Sequence, residues 1–223
     1  MIKFPYGIGK AQLIKESGIS DGGHTKQRLK ELEEAGFILE FIPYGHQEKG
    51  IYYKIIDEFT LFYLYWVEPK LKTIIKQDRI IGYWLSKMKS PSWKSWSGLA
   101  FEAVCYKHLA QIRKTLNIES GAEVGSWRYA PKKSEYKGTQ IDLLFDRDDG
   151  IITVCEIKYN EQPFTIDKEY SQKLLNKLEV YKRQSKTSKQ LFLAMITANG
   201  LKTTLYSEEH VSGQVTLDDL FEK

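Results

Sequence analysis

Residues 140–158 read QIDLLFDRDDGIITVCEIK. Apolar and β-branched residues dominate 140–145 and 151–159, and the polar segment 146–150 between them ends in a glycine. Two such runs around a short polar segment are typical of antiparallel β-strands joined by a tight turn. The stretch therefore predicts a β-hairpin.

The alternation of side chains along these two strands predicts which residues lie together. Every second side chain shares a face, so Glu156 and Lys158 lie on one face of the second strand, with Cys155 and Ile157 on the other. On the first strand, Asp142 lies opposite an apolar face. That face consists of Ile141, Leu143 and Phe145. Hairpin pairing is then expected to bring two acids, Asp142 and Glu156, beside the amine of Lys158.

Two carboxylates and a lysine in this arrangement suit metal-dependent phosphate chemistry. Mg²⁺ or Mn²⁺ prefers hard oxygen ligands, polarises a phosphate and supplies a hydroxide from bound water. We expect Asp142 and Glu156 to hold such a metal, and Lys158 to orient the attacking water or stabilise the pentavalent phosphate. Glu102, on a helix predicted before the strands, is expected to add a third carboxylate. The competing interpretation is an ion-pair ladder on an exposed sheet face, without catalytic function.

The segments around the hairpin predict an α-β-β-β-α-β order. The predicted elements are a long helix Trp96–Leu116, strands Glu123–Ala130, Gln140–Phe145 and Ile151–Tyr159, a helix Ile166–Gln184 and a strand Gln190–Ile196. Elements in this order predict a mixed α/β (α+β) domain, which we expect to span residues 93–223.

Residues 1–56 predict a winged helix-turn-helix. The predicted elements are helices 10–17 and 24–35, each followed by a glycine, and strands 37–41 and 51–56. In such a module the second helix enters the major groove and the wing contacts the DNA backbone. The candidate DNA-binding residues are His24, Lys26, Gln27, Arg28 and Lys30 on the second helix and Lys49 on the wing. Because Glu31, Glu33 and Glu34 oppose their charge, docking to a protein is the alternative.

Residues 57–92 are predicted to form an aromatic, basic helical bridge between the two domains. The stretch 69–97 contains seven basic residues and one acid, a net charge of +6 in a chain whose total is +4. Lys70, Lys72 and Lys76 are therefore candidates for contacts with a phosphate backbone. The alternative is that these lysines are simply solvated on amphipathic helices.

The composition excludes several classes of protein. With 42% hydrophobic and 28% charged residues, the chain is neither disordered nor of low complexity. Its two cysteines cannot build the disulfide framework of a small secreted protein, which favours the reducing cytoplasm. No run approaches the roughly 20 apolar residues that cross a bilayer, so we expect no membrane partner.

The carboxylate and lysine pattern resembles the PD-(D/E)XK, restriction-endonuclease-like nuclease superfamily. There, an Asp on one strand and a (D/E)-x-K on the next form the metal site, matched here by Asp142 and by Glu156-Ile157-Lys158. The departure is Ile141, which stands in place of the proline.

Nearly the whole chain also resembles the C-terminal half of a prokaryotic family of AAA-superfamily ATPases. The segments that carry this second likeness are Trp96–Glu102, Gly125–Trp127, Gln140–Asp142 and Pro163–Tyr170.

This resemblance implies a winged helix and a nuclease-like domain, which in that family follow an ATPase module. Gly7-Ile8-Gly9-Lys10 lacks the glycine spacing of a phosphate-binding loop, and Ala11 stands where a hydroxyl residue would bind magnesium. We therefore predict that this chain does not bind ATP and is a stand-alone version, or a fragment, of such an ATPase. An ATPase module on another chain is then a candidate partner.

The sequence thus predicts a DNA-associated protein that hydrolyses phosphodiesters with magnesium or manganese. One alternative is a non-catalytic module that keeps the fold and docks nucleic acid or a protein. Another is a regulator whose winged helix restrains a toxin-like or ATPase domain.

Overall fold

A computed structural model describes residues 7–43, 50–71, 82–129 and 138–222 of the chain. Within these residues the chain forms two compact units, one over 7–41 and 50–107 and the other over 42–43 and 108–222. Both units combine helices with a β-sheet, so the predicted mixed α/β class is confirmed. The predicted division into three segments stays a prediction.

The first unit begins with two helices and a small antiparallel sheet. Its elements are β1 (Ile8–Gly9), α1 (Lys10–Ser17), α2 (Gly23–Glu34), β2 (Ile38–Phe41) and β3 (Tyr52–Ile55). The strands pair in the order β1-β3-β2. The helix α1 ends as predicted at Gly18, whose φ of 67° is readily adopted by glycine. Side chains from all five elements form one core, consisting of Ile8, Leu13, Leu29, Ile38, Tyr53 and Ile55.

Two details of this region differ from the sequence prediction. The strand β1 was not predicted, because two residues are too few to show an alternation of apolar and polar positions. The i, i+3 spacing of Leu29 and Leu32 is typical of one apolar helix face, but Leu32 is 38% exposed while Leu29 is buried. Three helical residues turn by about 300°, so Leu32 lies about 60° away from the direction in which Leu29 points.

A helical segment completes the first unit. Its elements are α3 (Glu58–Phe62), a π-helical turn (Tyr63–Val67), a 3₁₀ turn (Glu68–Lys70), α4 (Tyr83–Met88) and α5 (Pro91–Lys107). The Ser90 hydroxyl accepts a hydrogen bond from the backbone N–H of Trp93 at 3.2 Å, and Pro91 is the first residue of α5. This is a favourable helix start, since proline has no N–H to leave unsatisfied. Trp66, Trp93 and Trp96 pack against one another.

The second unit is a five-stranded mixed sheet with helices. Its elements are α6 (Leu109–Thr115), β4 (Glu123–Tyr129), β5 (Thr139–Asp146), β6 (Ile151–Lys158), α7 (Lys168–Ser185), β7 (Gln190–Thr197), α8 (Leu205–His210), β8 (Gly213–Val215) and α9 (Leu217–Phe221). The strand order is β4-β5-β6-β7-β8, antiparallel from β4 to β6 and parallel from β6 to β8. The predicted strands and the helix after the hairpin are confirmed to within two residues at each end.

Helix α7 packs on the middle of this sheet. Leu174 is buried with Leu193 and Met195 of β7, whereas Val180 and Tyr181 are buried with Val154 of β6 and its neighbours. The Asp167 side chain accepts a hydrogen bond from the backbone N–H of Tyr170 at 2.8 Å and caps the first turn. The helix is thereby fixed over the strand that carries Glu156.

Two sequence predictions in this part of the chain are wrong. The helix predicted over Trp96–Leu116 is interrupted at His108, whose φ of −115° and ψ of 31° are not helical. Apolar spacing continues through this break, so the pattern could not reveal it. Ile141 was predicted beside Leu143 and Phe145, but it packs in one cluster with Leu144. The pairing of β4 with β5 shifts register between Gly125 and Trp127, and such a bulge breaks strict alternation.

None of the helices within 7–43, 50–71, 82–129 and 138–222 is both long and apolar enough to cross a membrane.

Candidate active site

The β5–β6 hairpin brings the predicted acids to neighbouring strands. In its register Leu144 faces Val154, and Leu143 faces Cys155. The described pairing ends there, one residue short of Asp142 on β5 and of Glu156 on β6. The bulge in the β4–β5 pairing falls between Ile141 and Leu144, so strand alternation does not decide the face on which Asp142 lies. The expected proximity of the two acids stays a prediction.

Glu156 lies at the centre of a buried polar cluster, and its side chain is only 5% exposed. Its Oε1 accepts hydrogen bonds from the Lys158 Nζ and from the Tyr170 hydroxyl, each at 2.8 Å. Its Oε2 is in contact with the Nζ of Lys177. A buried carboxylate requires such partners, because an isolated charge in the interior is strongly unfavourable.

These contacts decide the ionisation state of the cluster. Burial by itself raises the pKa of Glu156, but the ammonium groups of Lys177 and Lys158 outweigh burial and hold the pKa below its usual range. Burial and the negative charge of Glu156 raise the pKa of the Tyr170 hydroxyl well above its usual value. At neutral pH, Glu156 is therefore a carboxylate and Tyr170 a protonated donor.

Asp142 is linked to the same cluster. Its side chain is half-buried, and its Oδ1 accepts a hydrogen bond from the Gln140 amide nitrogen at 3.3 Å. Its negative charge contributes to the raised pKa of the Tyr170 hydroxyl and to that of the buried Cys155 thiol. The Asp142 carboxylate thus lies within electrostatic range of the tyrosine that donates to Glu156.

The site has one side that faces solvent. Lys158 is 36% exposed, whereas Lys177 is 17% exposed and Glu156 is buried. A ligand from solution would therefore meet the Lys158 ammonium before it meets the Glu156 carboxylate. The structure thus brings Glu156 and Lys158 into direct contact and places Asp142 on the adjoining strand.

Tyr170 and Lys177 were not predicted as members of this cluster. Residues 170, 174, 177 and 181 follow the spacing of one helix face, and Leu174 and Tyr181 on that face are buried. A lysine on a core-facing stripe is unusual, because lysine is almost never buried without a partner. That irregularity is the signal that could have identified Lys177.

Glu102 belongs to the first unit and has a different partner there. Its Oε1 contacts the Nζ of Lys54, and the two side chains are 9% and 7% exposed. The same Lys54 Nζ lies 4.8 Å from the centre of the Tyr106 ring. The expected role of Glu102 as a third metal ligand stays a prediction. Among the described residues, no three His, Cys, Asp or Glu side chains form a group that could hold a metal ion.

The residues predicted to bind DNA on the second helix of the first unit are all solvent-exposed. His24, Lys26, Gln27, Arg28 and Lys30 lie on α2. Some are engaged locally, since Gln27 donates to Glu31 at 3.0 Å and Lys30 pairs with Glu34 at 3.5 Å. Lys70 is exposed at the end of the 3₁₀ turn. Lys49, Lys72 and Lys76 lie outside the described residues.

A family comparison covers both the buried cluster and part of the first unit. The chain belongs to DUF234, a family of archaeal and bacterial proteins of unknown function, whose model matches residues 63–177, just over half of the chain. The matched stretch includes Asp142, Glu156, Lys158, Tyr170 and Lys177. No curated protein and no solved structure matches the chain.

Proposed function

We propose that the second unit is a metal-dependent phosphodiesterase that acts on DNA, with a PD-(D/E)XK type of site. The observation that carries this proposal is Glu156, a buried carboxylate kept ionised beside Lys158 on the strand adjoining Asp142. Sites of catalysis are where such perturbed, charge-coupled groups concentrate. In the competing interpretation, an ion-pair ladder on an exposed sheet face, the charged side chains would be solvated, whereas the Glu156 side chain is buried.

The donor set fits a small hard cation. Asp142 and Glu156 offer carboxylate oxygens, and Mg²⁺ is commonly bound through one or two carboxylates together with waters and substrate phosphates. Two protein carboxylates therefore suffice, and metal affinity is expected to rise when DNA is present. When bound, Mg²⁺ or Mn²⁺ would polarise the phosphate and lower the pKa of a coordinated water.

The residues of the chain itself provide orientation and charge. Lys158, the more exposed of the two lysines on Glu156, can place its ammonium beside a phosphate oxygen that gains charge in the transition state. Tyr170, fixed by α7, holds the Glu156 carboxylate in one orientation. Such support keeps the reacting groups in place before substrate arrives.

The N-terminal part of the first unit is proposed to be a winged helix that binds DNA. The order of β1, α1, α2, β2 and β3 and the exposed basic residues at the start of α2 support this assignment. With the nuclease-like unit, it would form the pair of domains found in the AAA-superfamily ATPases that the sequence resembles. We propose an ATPase module as the protein partner.

Replacing Lys26 and Arg28 with alanine is expected to weaken duplex DNA binding and reduce its salt dependence. Each lost phosphate contact should make the log–log slope of affinity against salt shallower by about 0.9, because fewer counterions are released. Fluorescence anisotropy over a salt series measures the slope. Lys182→Ala, an exposed lysine on α7, is the matched control. If the salt slope of the double variant equals that of the unmodified chain and of the Lys182→Ala control, α2 is excluded from the DNA interface.

A non-catalytic binding module is the second candidate function. The charges of Asp142 and Glu156 are balanced by those of Lys158 and Lys177, so these four described residues are electrically neutral without a metal. In such a module the cluster would stabilise the fold, and Lys158 would contact a phosphate without turnover. This candidate predicts DNA binding that is insensitive to divalent metal.

Incubation with single-stranded, duplex and branched DNA separates the two candidates. The hydrolase is expected to cut at least one of these substrates in magnesium or manganese and none in chelator. Cleavage that persists in chelator would refute the metal-dependent proposal. DNA binding without cleavage under any of these conditions would favour the binding module.

A further inference from the structure

Lys177 has a distinct position in the buried cluster. Lys158 and Tyr170 both contact Oε1 of Glu156, whereas the ammonium of Lys177 contacts Oε2. Oε1 already accepts two hydrogen bonds. A divalent cation that coordinates Glu156 through Oε2 would have to take the position of the Lys177 ammonium.

The side chain of Lys177 can leave that position without unfolding the helix. Lysine carries a compact charge on a flexible four-carbon stem, and such stems lie along apolar surface while the charge moves into water. Lys177 is 17% exposed, so a path to solvent exists, whereas Glu156 is fixed in β6. The mobile partner is thus the lysine.

We propose that Lys177 is a displaceable counter-ion, which neutralises Glu156 in the metal-free protein and competes with the divalent cation for Oε2. This inference rests on the proposed function, because it assumes that metal binds at Asp142 and Glu156. Metal binding exchanges one cation for another at Glu156, so the site avoids an unpaired buried carboxylate in either state.

Calorimetric titration with manganese tests the competition directly. Lys177→Gln removes the charge but keeps an N–H donor for Glu156, and it is expected to bind manganese at least about tenfold more tightly than the unmodified chain. Lys177→Arg keeps the charge and is expected to bind no more tightly than the unmodified chain. The matched control is Lys173→Gln on the same helix, where an exposed lysine pairs with exposed Glu169 at 2.6 Å. Thermal denaturation checks that each protein is folded.

The outcomes separate this inference from the proposed function, which a nicking assay on the same preparations measures. If the unmodified chain nicks DNA but neutral substitution of Lys177 leaves manganese affinity unchanged or weaker, the counter-ion inference is refuted and the hydrolase stands. A second outcome is that the unmodified chain neither binds manganese nor nicks DNA, whereas Lys177→Gln binds manganese and loses this binding when Asp142→Asn is added. The counter-ion inference then stands, and the hydrolase proposal fails. If neither protein binds manganese, the counter-ion inference is refuted, and the hydrolase is refuted with it when the unmodified chain does not nick DNA. Should Lys177→Gln not fold, Lys177→Met takes its place with the same expectations.

Discussion

Replacing Glu156 with alanine is expected to abolish manganese binding and DNA cleavage together. The substitution removes a proposed metal ligand and leaves the charges of Lys158 and Lys177 uncompensated, so a cation is repelled from the site. Glu156→Gln keeps an acceptor for Tyr170 and is the milder variant, with the same expected losses. Calorimetric titration with manganese and a plasmid-nicking assay measure the two effects.

Replacing Lys158 with alanine is expected to have a different outcome. Lys158 is proposed to contact water or phosphate but not the metal, so manganese affinity should be unchanged or higher. Cleavage should fall by about a hundredfold or more, the usual effect of removing one electrostatic donor. DNA binding should survive both substitutions.

The contrast between the two variants distinguishes an enzyme from a binding module. Equal losses of manganese affinity in both variants would mean that Lys158 merely stabilises Glu156. Full cleavage by Glu156→Ala would place the catalytic site elsewhere in the chain. Lys173→Ala, an exposed lysine paired with Glu169, provides the control for general effects of losing a lysine.

The buried ion pair of the first unit carries the largest expected effect on stability. Glu102→Ala leaves the Lys54 ammonium, 7% exposed, without its carboxylate partner. Removing one partner of a buried ion pair typically lowers the free energy of unfolding by about 3–5 kcal/mol, because the remaining charge stays desolvated. Urea denaturation followed by circular dichroism is expected to show this loss in the free energy of unfolding.

A double substitution tests whether the pair acts as a unit. Lys54→Met combined with Glu102→Leu removes both charges and keeps apolar volume, so it should recover most of the stability lost in Glu102→Ala. The exposed pair Lys30–Glu34 provides the control, since Glu34→Ala should change stability by well under 1 kcal/mol. A loss below about 1 kcal/mol in Glu102→Ala would show that Lys54 is rehydrated and that the pair is not a stabilising feature.

Local patterns predicted most strands of the second unit, for a physical reason. The run from Gln140 to Lys158 contains both strands and their turn within 19 residues, so its pairing needs no distant partner. The proximity of Glu156 and Lys158 could be predicted for the same reason, since the two residues lie two positions apart on one strand. The break at His108 and the register shift between Gly125 and Trp127 depend on packing and leave no local signature.

The partners of buried charges were less predictable, because they come from distant parts of the chain. Lys177 lies 21 residues after Glu156, and Lys54 lies 48 residues before Glu102. Lys54 alternates with the core residues Tyr53 and Ile55 and leaves no signal in the sequence, whereas Lys177 can be recognised as unusual because it falls on the core-facing stripe of its helix. Which acid it pairs with is decided by tertiary packing, which a single sequence does not reveal.

Asp142 and Glu156 together are proposed to support metal-dependent cleavage of DNA. The most direct measurement is nicking of a supercoiled plasmid by the unmodified chain and by Asp142→Asn, purified in parallel, in manganese and in chelator. We expect nicking by the unmodified chain in manganese alone and none by Asp142→Asn, a contrast that excludes a contaminating nuclease. Equal nicking by both proteins, or none by the unmodified chain, would refute the proposed role of the two carboxylates.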